Sequence, residues 1–159
     1  MARYSRTLVL NDAETKLGEA MNILEMCDSE AASVPVEATA EQAIRTMLDR
    51  HVGAVAVLDE GQRVAGIFSE RDVLRRLSLG EHDPRKISVR EVMTTPVEMA
   101  TRATTASEAL TTMVERHYRH LPIVDDDGRL LGMLSIRNLL QARIDLLTGQ
   151  LHQARSVAL

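Results

Sequence analysis

Two short segments carry side chains that could bind a polar ligand. Ser69 precedes Asp72 by three residues, and Ser135 precedes Asn138 by the same spacing. A carboxylate such as that of Asp72 accepts charge-assisted hydrogen bonds from two neighbouring hydroxyl groups. A serine at a helix start lies where free N–H groups and the helix dipole favour an anion. The pattern therefore indicates a ligand that carries hydroxyl and anionic groups.

Basic side chains accompany both segments. Arg71 and Arg137 lie inside them, and Arg119 and His120 form a further basic pair. Guanidinium groups supply positive charge for phosphates. The same serine-to-acid spacing also starts a helix without any ligand, because an acid at the third helical position faces the helix dipole. Capping and ligand binding both remain open for Asp72.

No arrangement of residues indicates catalysis or metal binding. The sequence has no paired nucleophile and base, phosphate-binding loop or dinucleotide-binding fingerprint. His117 and His120 have a spacing found in metal sites, but no acid or thiol completes a tetrahedral set, so we expect His117 to end a helix. Cys27 is the only cysteine, and we expect an inert thiol. The expectation is a protein that is not an enzyme and has no catalytic cofactor and no metal.

Composition narrows the partners. The 159 residues carry a formal net charge of −4, and 2% are aromatic. A mildly acidic chain is a poor counterion-release binder of nucleic acid, and few aromatics argue against base-stacking platforms. No apolar run approaches the roughly 18 residues that span a bilayer. We therefore expect a cytoplasmic protein that binds neither nucleic acid nor membrane.

An internal repeat organises the chain. Shifted by 66 positions, residues 39–74 are identical to their counterparts at 13 of 36 positions. Such self-similarity indicates a duplicated structural unit, and two copies indicate a pseudo-symmetric pair.

Each copy is predicted to run helix, strand, helix, strand, strand, helix. Thr39 with Gln42, and Thr105 with Glu108, form capping boxes that start the middle helices. Ser69 opens the next helix, as its counterpart does in the second copy. The predicted strands are 33–36, 54–58, 64–68, 97–101, 121–124 and 130–134.

The fold class that follows is α/β (α+β), a tandem pair of domains with small three-stranded sheets, flanking helices and pseudo-two-fold symmetry. The expected boundaries are an arm 1–12, a first domain 13–78, a connector 79–88, a second domain 89–145 and a helical extension 146–159. Residues 3–10 are either an added strand or a loose arm.

The last helix is predicted to continue to about Val157. Its apolar residues are spaced 4, 3, 4 and 3, a heptad-like seam of Leu140, Ile144, Leu147, Leu151 and Ala154. Packing on its own domain and pairing with a second copy are equally compatible with this seam.

Three motifs resemble the cystathionine-beta-synthase (CBS) domain. They are Gly-Ile-Phe-Ser-Glu-Arg-Asp at 66–72, Val-Arg-Glu-Val-Met-Thr at 89–94 and Arg-His-Leu-Pro-Ile-Val-Asp at 119–125. Two copies in register and in the right order make the chain similar to small stand-alone CBS pairs, or Bateman modules, of the bacterial signal-transduction type. The resemblance covers roughly residues 15–145.

The resemblance implies two clefts between paired domains that take adenosine-containing ligands. AMP, ADP, ATP, NAD and S-adenosylmethionine are the known ligand types. The signature Asp holds ribose, the Ser lies near ribose or phosphate, and basic residues meet phosphate. Carried onto this chain, the implied contact residues are Gly66, Ser69, Arg71, Asp72, Arg119, His120, Ser135, Arg137 and Asn138, with Val34, Ala54, Thr94, Val97 and Pro122 lining the clefts.

Two departures from the family pattern bear on the ligand. Asn138 replaces the signature acid of the second copy, so that site is expected to be weaker, altered in preference or empty. Related pairs carry a Lys after their first helix, whereas this chain has Asp28 there. The second departure favours a monophosphate or a dinucleotide over ATP.

The leading hypothesis is a sensor that binds an adenosine nucleotide and signals to a partner protein or to a second copy. A homodimer is expected from the resemblance. The alternative is a non-catalytic scaffold whose degenerate clefts are empty, which the Asn138 departure favours.

Overall fold

The structure, a computed structural model, describes residues 22–27, 30–78 and 82–157. The predicted arm 1–12, Asp28 and part of the connector lie outside the described residues, as do the side chains of Leu151 and Ala154.

The elements follow the predicted order in both halves. The helices are α1 Ile23–Met26, α2 Ala40–Asp49, α3 Glu70–Asp72, α4 Val89–Val92, α5 Ala106–Arg116 and α6 Ile136–Val157, with a π-helical segment Val73–Leu77 after α3. The strands are β1 Ser33–Pro35, β2 Ala54–Leu58, β3 Val64–Ser69, β4 Ala100–Thr101, β5 His120–Val124 and β6 Leu130–Ser135.

The predicted capping boxes start the two middle helices. Thr39 Oγ1 accepts from the Gln42 N–H at 3.2 Å, and Gln42 Oε1 accepts from the Thr39 N–H at 2.8 Å. Thr105 and Glu108 repeat this exchange. The backbone and hydroxyl donors of Thr105 hold the pKa of Glu108 below its usual value. Local sequence therefore fixes where α2 and α5 begin.

Both halves contain the same three-stranded sheet. In the first, β1 lies parallel to β2 and β2 antiparallel to β3; β4, β5 and β6 repeat this arrangement. Ala54 opposes Ser69 in the first sheet, and their counterparts His120 and Ser135 oppose each other in the second. The predicted fold class is confirmed.

The two sheets face each other across the interface between the halves. Strand β2 is buried along its whole length, with Val55 and Val57 in the core of its own half. Ala54 and Ala56 point the other way, into a cluster that also contains Met133 of the second half. Because side chains alternate along a strand, each half covers the second face of the other half's sheet.

Reciprocal contacts define a pseudo-two-fold axis. Asn22 bridges to Thr105, and their counterparts Ser88 and Thr39 bridge to each other. Arg63 bridges to its own counterpart, Arg129. A contact between equivalent residues is what a two-fold relation produces.

The short helices α1 and α4 are exchanged between the halves. Ile23 of α1 is buried in the core of the second half, and Val89 and Val92 of α4 are buried in the core of the first. The sequence predicted helices before each sheet but not this exchange, which depends on contacts between the repeats.

The last helix continues to Val157, as predicted. Leu140, Ile144 and Leu147 on its surface are 50%, 56% and 44% exposed. The described residues therefore leave about half of each of these side chains uncovered.

Gly66 on β3 allows close approach of the segment after α4. A Cβ at Gly66 would lie 2.4 Å from Met93 Sδ and 3.0 Å from the Thr94 carbonyl oxygen. The Ile67 N–H donates to that oxygen at 3.1 Å, and the Thr94 N–H donates to the Ile67 carbonyl at 2.8 Å. Gly66 therefore lets this segment extend the sheet.

We expect Gly66→Ala to destabilise the protein by about 1–3 kcal/mol, because Met93 is buried and has little room to move. Urea unfolding followed by circular dichroism measures the change. Gly149→Ala is the matched control: nothing lies within 4 Å of its added Cβ, and alanine in a helix raises stability by up to about 1 kcal/mol. Equal stability of Gly66→Ala and the parent would contradict the close-approach argument.

Candidate functional site

Two clefts open at the rim of the interface. The smaller, about 440 Å³, contains Asp72 from the first half and Arg119 from the second. The larger, about 1010 Å³, contains Asn138 from the second half and His51 from the first. We call them the Asp72 cleft and the Asn138 cleft. Each combines the helix start after one sheet with the loop before the central strand of the other, so the two are pseudo-symmetric counterparts.

Asp72 lies at the centre of a hydrogen-bond network and is 6% exposed. Its Oδ2 accepts from the Ser69 N–H at 2.9 Å and from Ser69 Oγ at 2.7 Å, and its Oδ1 accepts from Thr94 Oγ1 at 2.9 Å. Arg76 Nε lies 3.6 Å from Oδ1. The carboxylate therefore caps α3 and ties it to the segment after α4.

The equivalent position in the second half has fewer partners. Ser135 Oγ donates to Asn138 Oδ1, and the Asn138 N–H donates to Ser135 Oγ at 3.1 Å. Ala142 stands where the first half has Arg76, so the amide has no arginine four residues after it. This cleft has lost both charges of the Asp72 network.

The walls of the two clefts differ in character. The Asp72 cleft is lined by five arginines: Arg71, Arg75, Arg76, Arg116 and Arg119. The Asn138 cleft is lined largely by apolar side chains: Ile44, Met47, Leu48, Val52, Val73, Leu74, Met133 and Ile136. A cationic wall suits an anion, and an apolar wall suits the flat face of a heterocycle.

Burial lowers the pKa of His120 below its usual value near 6.5. The positive charge of Arg119 lowers it further, and the carboxylate of Glu70 partly opposes both effects. His120 lines both clefts, where the lowered pKa favours the neutral ring.

Most predicted residues line one of the clefts. The Asp72 cleft contains Ser69, Arg71, Asp72, Thr94, Val97, Arg119 and His120. The Asn138 cleft contains Ala54, Arg119, His120, Ser135, Arg137 and Asn138. Val34, Gly66 and Pro122 line neither. Val34 and Pro122 are buried in the protein interior, and Gly66 makes room for Met93.

Other lining residues were absent from the prediction. Four of them come from the half opposite the signature residue: Arg116 and Tyr118 in the Asp72 cleft, and His51 and Glu70 in the Asn138 cleft. Arg75 also lines the Asp72 cleft and belongs to the same half as Asp72. The repeat alignment could have identified one of these residues, because His117 lines the Asp72 cleft and its counterpart His51 lines the Asn138 cleft.

Within the part of the chain that the structure describes, no group of three or more His, Cys, Asp or Glu side chains is placed to hold a metal ion. Over the same residues, no helix combines the length and apolar character needed to cross a bilayer.

Comparisons with known proteins agree with this architecture. A model of the CBS domain matches residues 23–79 and 89–145. The chain is 32% identical over 131 residues to an uncharacterized 17.7 kDa protein of Acidianus ambivalens, a match that covers 82% of this chain and 78% of that relative. The chain spans 54%, 18% and 24% of the length of three other curated relatives.

Solved structures show the same fold. A candidate signal-transduction protein with CBS domains from Burkholderia ambifaria matches with a TM-score of 0.71 at 31% identity, covering 77% of this chain and 91% of that one. CBSX2, solved in complex with AMP, matches with a TM-score of 0.68 at 20% identity, covering 79% of this chain and 97% of that one.

The paired α/β units and the clefts between them define a tandem-domain protein of the regulatory-module class. The chain belongs to the CBS domain family, with one copy of the domain in each half. The resemblance inferred from the motifs is confirmed.

We expect His120 to titrate below pH 6.5 in a proton NMR titration, its signal identified by its loss in His120→Gln. Glu70→Gln should lower the midpoint further because it removes the charge that favours the imidazolium, and Arg119→Gln should raise it.

Because the folded pKa of His120 lies below the unfolded one, this histidine contributes stability that is full above about pH 6.5 and falls as the pH drops towards the folded pKa. Glu41→Gln, on the surface of α2, is the control. A rise in the His120 midpoint for Glu70→Gln would contradict the inference that the Glu70 carboxylate raises the pKa of His120.

Proposed function

We propose that this chain is a sensor that binds an adenosine-containing nucleotide at the interface between its two CBS domains. The observation that carries the proposal is the Asp72 cleft, where a carboxylate lies among arginines drawn from both halves. A nucleotide presents hydroxyl groups for the former and phosphate for the latter. The AMP bound by CBSX2 supports the same ligand class on the same fold.

Ribose hydroxyls would bind Asp72 by exchange. The hydroxyls of Ser69 and Thr94, which donate to the carboxylate, can rotate away, whereas the Ser69 N–H bond remains. The ligand therefore replaces existing bonds, and only the difference contributes to affinity. The arginines then supply the larger share of the binding energy.

The Asn138 cleft offers a neutral amide in place of the carboxylate. An amide accepts one bond and donates another, but each is weaker than a charge-assisted bond. We therefore propose that the Asp72 cleft binds the nucleotide more tightly. Its ligand is AMP, ADP, ATP or NAD, with no catalytic role.

Signalling requires that the ligand bind two arrangements of the domains with different affinity. Because each cleft combines elements of both halves, a bound nucleotide contacts both. A partner protein, not yet identified, or a second copy of the chain would detect the change. The alternative, a scaffold with empty clefts, predicts no ligand response.

A thermal-shift panel of AMP, ADP, ATP, NAD(H) and S-adenosylmethionine tests the proposal. A specific ligand at 100 times its Kd stabilises by about 2.7 kcal/mol, which raises Tm by several degrees for a chain of this size. A rise that saturates with concentration supports the sensor. An unchanged Tm with all five compounds supports the scaffold instead.

Exchanging the signature residues tests the ranking of the clefts. Asp72→Asn gives both halves the same amide, and calorimetry should show about tenfold weaker binding of the responding nucleotide. The reciprocal Asn138→Asp adds the carboxylate to the other cleft and should strengthen binding there. Unchanged affinity in Asp72→Asn would overturn the ranking.

We also infer a homodimer, which the exposed apolar side chains Leu140, Ile144 and Leu147 of α6 support. Their spacing of 4 and 3 fits pairing with a second copy of the same helix. Light scattering should give twice the 17.6 kDa chain mass at micromolar concentration, and Ile144→Glu should give the chain mass. Glu98→Gln, in the segment before β4, is the control. A monomeric parent protein would contradict the inference.

A further inference from the structure

The two clefts share part of one wall. Arg119, directly before the central strand of the second sheet, and His120, the first residue of that strand, line both the Asp72 cleft and the Asn138 cleft. They are the only residues that the structure, over its described ranges, places in both clefts.

Broken symmetry explains the shared wall. The counterparts of Arg119 and His120 are Gly53 and Ala54, which offer no polar side chain to either cleft. A Cβ on Gly53 would lie 3.3 Å from His120 Cε1 and 3.2 Å from Glu70 Oε2. The small residues of the first half therefore leave space that His120 and Glu70 approach, and one basic pair serves two clefts.

The arginines differ in whether they are already engaged. Arg71 donates to the His117 carbonyl at 3.1 Å, Arg76 donates to the Met93 carbonyl at 2.6 Å, and Arg116 Nε lies 3.1 Å from Glu98 Oε1. The guanidinium groups of the remaining cleft arginines form no hydrogen bond or ion pair with the described residues: Arg75, Arg119 and Arg137.

These three guanidinium groups divide unevenly between the clefts. Arg75 belongs to the Asp72 cleft and Arg137 to the Asn138 cleft, whereas Arg119 belongs to both. Each cleft thus has one available cation of its own and one that it shares.

We propose that Arg119 couples the two clefts, so that an anionic ligand bound in one weakens the binding of a second anionic ligand in the other. This coupling rests on the proposed nucleotide-binding function and adds a regulatory property to it. A single guanidinium carries one positive charge, and a phosphate that pairs with it leaves little net attraction for another.

Calorimetry with AMP as the probe tests the coupling, since disabling the tighter cleft must improve binding in the other. Arg75→Glu reverses the charge of the available arginine that lines only the Asp72 cleft, and it leaves Arg119 in place. The Asn138 cleft should then bind AMP about three- to tenfold more tightly than in the second step of the wild-type titration. The reversed charge itself would weaken binding in both clefts, so an improvement has no trivial electrostatic origin.

Arg119→Gln provides the decisive comparison. It should weaken AMP binding in both clefts. In the double variant that also carries Arg119→Gln, Arg75→Glu should no longer strengthen AMP binding in the Asn138 cleft. Arg102→Gln removes an exposed charge from the same half but lines neither cleft, so both binding steps should match those of the wild type.

The outcomes separate the two proposals. An Asn138 cleft that binds AMP equally well in Arg75→Glu and in the wild-type second step overturns the coupling and leaves the sensor intact. Improvement that persists in the Arg119→Gln background also overturns it. If another nucleotide of the thermal-shift panel binds in place of AMP, it replaces AMP as the probe. A wild-type protein that binds none of the five compounds overturns the sensor and the coupling together.

Discussion

The central strand of each sheet is buried on both faces, and much of the structure follows from this constraint. One face of β2 packs on the helices of its own half, and only the other half can cover its second face. Ala54 and Ala56 on that face are small, so the sheets come close together. The duplicated unit therefore buries its apolar surface as a pair, and the clefts form where the packed sheets end.

The pseudo-two-fold relation is kept in the backbone and broken in the clefts. Contacts such as those of Thr39 and Thr105 repeat between the halves because helix starts and strand registers need the same groups in both. Cleft side chains have no such requirement. In the aligned repeats the counterpart of Asp72 is Asn138, and the counterpart of Arg119 is Gly53. One half supplies the network around a carboxylate, and the other supplies the basic pair that both clefts share.

The parts of the fold that sequence predicted are those governed by local interactions. Capping boxes at Thr39 and Thr105 depend on residues three positions apart, and strand positions follow from short apolar runs between polar turns. The exchange of α1 and α4 depends on which half buries Ile23 or Val89, and no local pattern encodes that choice. The same reason explains the candidate site: Asp72 was identifiable from its own motif, whereas Arg116 could be added only once the facing half was known.

The network around Asp72 also suggests how binding is linked to domain arrangement under the proposed function. Thr94, which donates to the carboxylate, belongs to the segment that joins α4 to β4 and so connects the two halves. Arg76 ties the same segment through the Met93 carbonyl. A ribose that replaces the Thr94 hydroxyl would remove one bond between α3 and this connection while the arginine bond persists. The ligand and the interdomain connection thus compete for one carboxylate, which supplies the differential interaction that a change of domain arrangement requires.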